Sequence, residues 1–223
     1  MTEADDVVIR VPAASPERIV LEGRYARLEP LDPARHADDL FAAIAFDAET
    51  RHRWLFDHAP ATTEALREWM EGASRSSDPL FHAVVDGATG RAGGRQSLMR
   101  ITPEHGVVEV GNILWGEGIA GTRIATEALY LTARYVFETL GYRRFEWKCN
   151  DLNEPSKRAA ERFGFTFEGV FRQHMVVKGE NRDTAWFAML DRDWPRLKAG
   201  YEAWLDPKNF DVEGRQKDRL RFA

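Results

Sequence analysis

The sequence predicts an α+β fold built on a mixed, mostly antiparallel sheet. Three observations lead there. Two polar turns, TPEHG at 102–106 and KGEN at 178–181, each separate runs rich in β-branched and aromatic residues, which reads as two hairpins. Between the hairpins lies one strand–helix–strand unit, from Val107 to Cys149. A doubly wound sheet would instead alternate strand and helix throughout.

The elements follow in order. Residues 1–18 are acidic, then Pro-rich, and are expected to be loose. Arg24 to Leu31 alternates like a first strand. Pro33 to Ile44 and Thr62 to Arg75 have helical spacing, the second opening on the capping run Thr62-Thr63-Glu64. RHRWLFDHAP, between them, reads as a loop or short helix. Phe81 to Val85 is a short strand before the turn DGATG. Gln96 to Ile101 and Val107 to Trp115 form the first hairpin. A helix from Thr122 to Leu140 carries an apolar stripe through Ile124, Ala128, Leu131 and Tyr135, and Gly141 ends it. Phe145 to Cys149 is the next strand. Asn153 opens a helix to Phe163, with Pro155 in its first turn. Phe165 to Val177 and Asp183 to Leu190 form the second hairpin. Asp193 to Leu205 is a last helix, rich in Trp and Leu, suited to covering the core or a partner subunit. Residues 19–206 read as one domain and 207–223 as a polar tail.

Composition narrows the function. The net charge of −5 argues against sequence-independent nucleic-acid binding, which needs a positive surface. No apolar run approaches the ~20 residues of a membrane span, and MTEADDVVIR lacks the features of a signal peptide. A single cysteine, Cys149, excludes an intrachain disulfide. The six histidines are scattered without metal-ligand spacing, so no metal is expected. A cytoplasmic enzyme is the expectation, with a homodimer left open.

One motif invites a nucleotide. GEGIAG fits G-x-G-x-x-G at Gly116, Gly118 and Gly121, between a strand and a helix. A dinucleotide site also needs an acidic residue about 20 residues on, at the next strand end. Asp151 comes too late for that, and Glu138 falls inside the helix. The turn still suits an anion, because helix-start amides and the helix dipole favour phosphate.

The run TEALYLTARYVFETLGYRRFEWKCNDLNEPSKRAAERFGFTFEG carries a stronger signal. Its ATEA, LGYRR, N-x-x-S and GF-x-x-EG elements in that order resemble the GNAT acyltransferase superfamily, in the branch of the ribosomal-protein N-terminal acetyltransferases. The resemblance covers about residues 20 to 195. It implies the GNAT fold, a central twisted mixed sheet with helices on both faces, and acetyl-CoA as co-substrate. The family's pyrophosphate loop, Q/R-x-x-G-x-G/A, falls on Ala120 to Ala125. Ala125 matches, whereas Ala120 replaces the basic or amide residue and Arg123 the central Gly. The implied contacts are the backbone of Thr122, Arg123, Ile124, Ala125 and Thr126. Ile113, Leu114 and Trp115 would pair with the pantetheine arm, and Asn153, also a good N-cap, would touch it.

Acetyl transfer needs a deprotonated amine, a polarised carbonyl and a proton for the leaving thiolate. Glu109, charged within the apolar strand VVEVGNILW, is the first candidate base, against a solvent-facing or Arg-paired role. His174, on a strand that borders the acceptor side in the family, is the second. Many family members place a Tyr acid four residues before the Gly of GF, where this chain has Ala160. The ribosomal branch uses the Ser of N-x-x-S, which falls on Ser156; its late-strand Glu falls on Met175. Trp54, Phe56, Asp183 and Trp186, with His52, are candidate acceptor-site residues. The reading is an N-acetyltransferase acting on a primary amine of a protein N-terminus or small molecule. The alternatives are a CoA-binding regulatory protein without chemistry, and a nucleotide-dependent oxidoreductase using GEGIAG.

Overall fold

The computed structural model describes residues 11–222. The segment expected to be loose, residues 1–18, lies partly outside them. Over its described part, Ala13 N donates to Pro103 O, Ala14 N to Leu140 O and Glu17 N to the Tyr135 hydroxyl.

Eight strands form one sheet: β1 (Leu21–Glu22), β2 (Ala26–Pro30), β3 (Leu80–Asp86), β4 (Ala92–Thr102), β5 (Val107–Trp115), β6 (Arg144–Asn150), β7 (Thr166–Val177) and β8 (Glu180–Leu190). Their spatial order is β1-β2-β3-β4-β5-β6-β8-β7. Only β5 and β6 are parallel, joined by the crossover helix α4 (Arg123–Arg134). The other helices are α1 (Pro33–Ile44), α2 (Ala48–His52), α3 (Thr63–Arg75), α5 (Glu154–Arg162) and α6 (Trp194–Leu205).

The helix starts follow the side chains available there. Asp32 accepts from Ala34 N, Thr62 from Ala65 N, Thr122 from Ile124 N and Asn153 from Ser156 N, each satisfying an amide that the helix leaves open. Alternation along β3 divides the core. Phe81, Ala83 and Val85 meet α1 and α3 through Leu40 and Met70, while Val84 meets α4 through Ala128 and Leu131. Helices therefore cover both faces. The aromatic helix α6 packs on the core: Trp194 and Tyr201 lie against Tyr130 of α4.

Four boundaries differ from the sequence reading. The strand expected over Arg24–Leu31 shortens to β2, and the two-residue β1 precedes it. The turn between them is held by Glu127 of α4, whose buried carboxylate accepts from the amides of Arg24, Tyr25 and Ala26 at 2.5–2.9 Å. β4 starts at Ala92 rather than Gln96, because Gly93 and Gly94 are strand residues. A Cβ on Gly93 would meet the Ile119 side chain at 2.5 Å, so packing explains that glycine. The helix expected to Leu140 ends as α-helix at Arg134 and continues as a π turn, Tyr135–Thr139. The second hairpin turns on Lys178-Gly179 alone, leaving Glu180 and Asn181 in β8.

His82 on β3 is 4% exposed, and burial pushes its imidazole down to about 4. Its folded pKa lies below the unfolded value, so the folded state binds fewer protons between pH 6.5 and 4. Stability is full above about pH 6.5 and falls as pH drops toward 4, by about 3 kcal/mol from this group. Urea titrations of wild type and His82→Leu across that range should diverge on acidification. Parallel curves would mean that His82 does not carry this limb.

Candidate functional site

The site begins where the parallel pair ends. β5 and β6 stay in register from Val107↔Arg144 to Val110↔Trp147 and no further. Against β4, Gly111 faces Ser97 and Leu114 faces Arg95, so Asn112 and Ile113 together oppose Gln96. Asn112 takes a left-handed backbone at φ 52, which Asn tolerates better than most residues. Its amide donates to Ser97 Oγ at 3.0 Å, and Ser97 Oγ donates to Gly111 O at 3.1 Å. This bulge turns the end of β5 away from β6 and opens a cleft between them.

The inner cleft holds about 110 Å³; Glu109, Ile113, Cys149, Asn153 and Ser156 are among the residues lining it. Trp54, Leu55 and Phe56, from the segment between α2 and α3, wall its other side. An outer cleft of about 430 Å³ lies between that segment and the β7–β8 hairpin. The two clefts share Trp54, Asn150 and Arg182.

Glu109 is 5% exposed. Strand alternation puts it on one face with Glu146 and Lys148, opposite the apolar face of Val108, Val110 and Phe145. Its Oε2 lies 3.0 Å from Lys148 Nζ and 3.3 Å from Arg100 Nε. These are contacts of charge, and Oε2 receives no aligned hydrogen bond within the described residues. Burial raises its pKa, with Lys148 and Arg100 opposing the rise. Lys148 also meets Glu146 at 2.6 Å and stands 3.9 Å over the Trp186 ring.

Across the cleft, Asn153 caps α5 and brings Ser156 to its first turn. Trp147 Nε1 donates to Ser156 Oγ at 2.9 Å, which leaves the hydroxyl proton free to point elsewhere. Cys149 is beside it, and burial pushes that thiol up, so little thiolate forms.

The glycine turn follows β5. Gly116 is needed for close approach: a Cβ there would meet Ala43 O at 2.5 Å. Gly121 is needed for its left-handed backbone at φ 76, whereas the space around Gly118 is open. Thr122 caps α4, and Thr126 Oγ1 accepts from Arg162 at 3.2 Å. Among the described residues, the amides of Gly121, Arg123 and Ala125 donate to no protein acceptor. The turn therefore offers a short row of donors at the start of a helix. The Arg123 side chain does not join them; its guanidinium stacks on Tyr25 and Phe210, at 4.4 and 5.2 Å from the ring centres.

The other sequence candidates divide. Ile113, Asn153, Ser156, Trp54 and Phe56 line the inner cleft. Leu114 is buried, and Trp115 O accepts from Arg51. His174 is held aside by Thr184 Oγ1 at 3.0 Å and by the rings of Phe171 and Trp186. Burial and then Arg100, Arg182 and Lys148 lower its pKa. Trp186 lies beneath Lys148 and against Phe171. Asp183 accepts from Gln173 N and Asn181 Nδ2, a hairpin role. His52 is buried, 3.6 Å from Asp57. Ala160, in the family's Tyr position, is wholly buried.

Lys148, Arg100 and Arg182 were missed in the sequence. Lys148 carried a usable signal: FEWKCN puts charges at alternate positions of an apolar strand, as Glu109 does in its own. Arg182 carried none. Asp151, the nearest candidate for a ribose partner, pairs with Lys157 at 3.4 Å. No grouping of three or more His, Cys, Asp or Glu able to hold a metal occurs among the described residues. No helix among them is long and apolar enough to cross a membrane.

A mixed sheet whose one parallel pair opens onto a donor-lined glycine turn is the arrangement that the acyltransferase resemblance implies. The chain belongs to the GNAT acetyltransferase family: the family model for the acetyltransferase (GNAT) domain matches residues 26–166. Among solved structures it is similar to a GCN5-related N-acetyltransferase from Brucella melitensis, 57% identical with TM-score 0.92, covering 95% of this chain and 96% of that one. It is similar also to a probable GNAT-family acetyltransferase from Chromobacterium violaceum, 36% identical with TM-score 0.78, covering 85% and 94%. A curated relative, "Putative ribosomal N-acetyltransferase YdaF" of Bacillus subtilis, is 28% identical over 170 residues, 75% of this chain and 90% of that protein. The name of this last relative agrees with the branch indicated by the sequence motifs. GNAT enzymes use acetyl-CoA as co-substrate.

Proposed function

We propose that this chain transfers an acetyl group from acetyl-CoA to a primary amine, by direct attack with both substrates bound. The observation that carries the reading is the buried Glu109 carboxylate on the cleft wall, held between the charges of Lys148 and Arg100. Acetyl-CoA supplies the thioester. The free amides of Gly121, Arg123 and Ala125 suit its pyrophosphate, and the β6-facing edge of β5 beyond Val110, where pairing with β6 has ended, suits its amide-bearing arm.

Each side chain then has a task. Glu109 takes the proton of the incoming ammonium, with Lys148 and Arg100 setting the orientation and charge of its carboxylate. Ser156 offers its hydroxyl proton toward the leaving sulfur, its oxygen held by Trp147. Asn153 fixes the turn that presents Ser156. Trp54 and Phe56 exclude water from the acceptor side. The raised thiol pKa of Cys149 supports direct transfer over an acyl-cysteine route.

A thermal unfolding scan with acetyl-CoA, CoA, NAD and NADP in parallel tests the donor. At about 100 times its dissociation constant, a ligand adds about 2.7 kcal/mol, or about 5–10 °C for a chain of this size. A shift with the CoA forms alone is expected. A shift with NAD or NADP and none with CoA would overturn the proposal. A CoA shift without turnover of any amine would favour the CoA-binding regulatory reading.

A further inference from the structure

The carboxylates on the polar face of the sheet are matched to cations, with one cation left over. Glu109 faces Lys148 and Arg100, and Glu146 faces Lys148 and Arg144. Arg182 of β8 is 7% exposed, and among the described residues no carboxylate lies within 4 Å of its guanidinium. Its Nε donates to Thr184 Oγ1 at 3.3 Å, and the Phe56 ring lies 5.3 Å from the guanidinium carbon. No acceptor in the described chain takes a hydrogen bond from its two terminal nitrogens. Neither of these nitrogens is sealed from solvent as the orphaned atoms of Arg95 are.

A guanidinium in this position is costly to bury without a partner. Its own burial, the largest influence on it, lowers its pKa, and nearby Glu109 partly offsets that. The side chain stands at the junction of the two clefts, between the outer cleft and the wall that carries Glu109. The planar fork of Arg matches the two oxygens of a carboxylate better than any other protein side chain does. The outer cleft, at about 430 Å³, has room for a small molecule or the first residues of a peptide.

Resting on the acetyltransferase reading above, we propose that the acceptor is an amine that carries a carboxylate, and that Arg182 receives it. The carboxylate completes the missing half of the ion pair at the cleft junction. Its amine is thereby turned toward Glu109. Arg182 thus selects the acceptor, while Glu109 handles the proton. The carboxylate is either that of a free amino acid or the acidic side chain of a peptide N-terminus.

The test is acetyl-CoA turnover against matched amines. One arm pairs free phenylalanine and glutamine with their α-amides. The other pairs N-terminal peptide amides bearing Asp or Glu at the second position with those bearing Asn or Gln. The carboxylate member of at least one arm is expected to show kcat/KM about 10- to 100-fold above its neutral partner, the worth of a charge-assisted contact. The arm that responds identifies the source. In Arg182→Met that ratio should collapse, and Arg182→Lys should restore part of it. The acetyl-CoA thermal shift should persist in both variants. Equal rates within every pair, or turnover confined to neutral amines, would overturn the proposal. Turnover of no amine at all would overturn it too. The acetyl-CoA shift, scored separately, then shows whether the donor assignment survives.

Discussion

Glu109→Gln is expected to lower kcat by about 100-fold or more, the usual contribution of a positioned general base. The reasoning starts from the amine, which arrives protonated at neutral pH and cannot attack until it loses a proton. Glu109 is a buried carboxylate on the inner-cleft wall, ion-paired with Lys148 and Arg100. Burial raises its pKa, so its basicity exceeds that of a solvated glutamate. The sign of the pH effect follows. The base works ionised, so the acid limb of kcat should lie above the ordinary carboxylate range, with rate lost as pH falls. In Glu109→Gln that limb should disappear along with the rate. Gln keeps the shape, and Lys148 retains Glu146, so the fold and the acetyl-CoA thermal shift should change little. A pH–rate profile of the variant that overlays wild type would remove Glu109 from the base role. The parallel variant, Ser156→Ala, should reduce kcat most with donors whose leaving thiol is least acidic.

Asp57→Ala is expected to destabilise the protein by about 3–5 kcal/mol, the cost of leaving a buried charge alone. Arg95 is 1% exposed, in the middle of β4. Its Nη2 donates to Asp57 Oδ2 at 2.6 Å, and its guanidinium lies 4.1 Å from the Trp69 ring centre. Nε and Nη1 have no partner, so Asp57 supplies the ionic compensation. Desolvation already pulls the Arg95 pKa down, with Asp57 opposing it. Asp57 belongs to the segment that carries Trp54 and Phe56, so the same pair fastens the acceptor wall to the sheet. The loss should appear as a lower urea midpoint and, for a chain of this length, a drop of about 6–20 °C in Tm. The double variant Arg95→Met/Asp57→Ala should regain much of it, because no buried charge is then left unpaired. A single variant within about 1 kcal/mol of wild type would show that Arg95 finds another partner.

Much of the fold was legible because local rules and tertiary structure agree. The spacing of Pro33–Ile44, Val107–Trp115 and Trp194–Leu205, together with the caps Thr62, Thr122 and Asn153, specified these elements without reference to distant residues. Where a distant residue decides, the sequence reading missed. Glu127 holds the β1–β2 turn from about a hundred residues away, and Ile119 explains Gly93 in β4. At the site, Glu109 stood out as a charge in an apolar strand, and Ser156 and Asn153 through their motif. Their actual neighbours, Lys148, Trp147 and Cys149, come from strands whose order no local pattern states.

The sequence by itself determined the element series, the family and the glycine turn, because period, capping and motif order are properties of neighbouring residues. Only the tertiary structure decided which charges meet. It paired Glu109 with Lys148 and Arg100, locked Asp57 to Arg95, bonded Asp183 to Gln173 N and His174 to Thr184, and left Arg182 without a carboxylate among the described residues. The physical reason is range. Secondary structure is set by steric and hydrogen-bond terms that act over a few residues. A buried charge is set by whatever the sheet order brings within about 4 Å, and in a low-dielectric interior that neighbour dominates its energy.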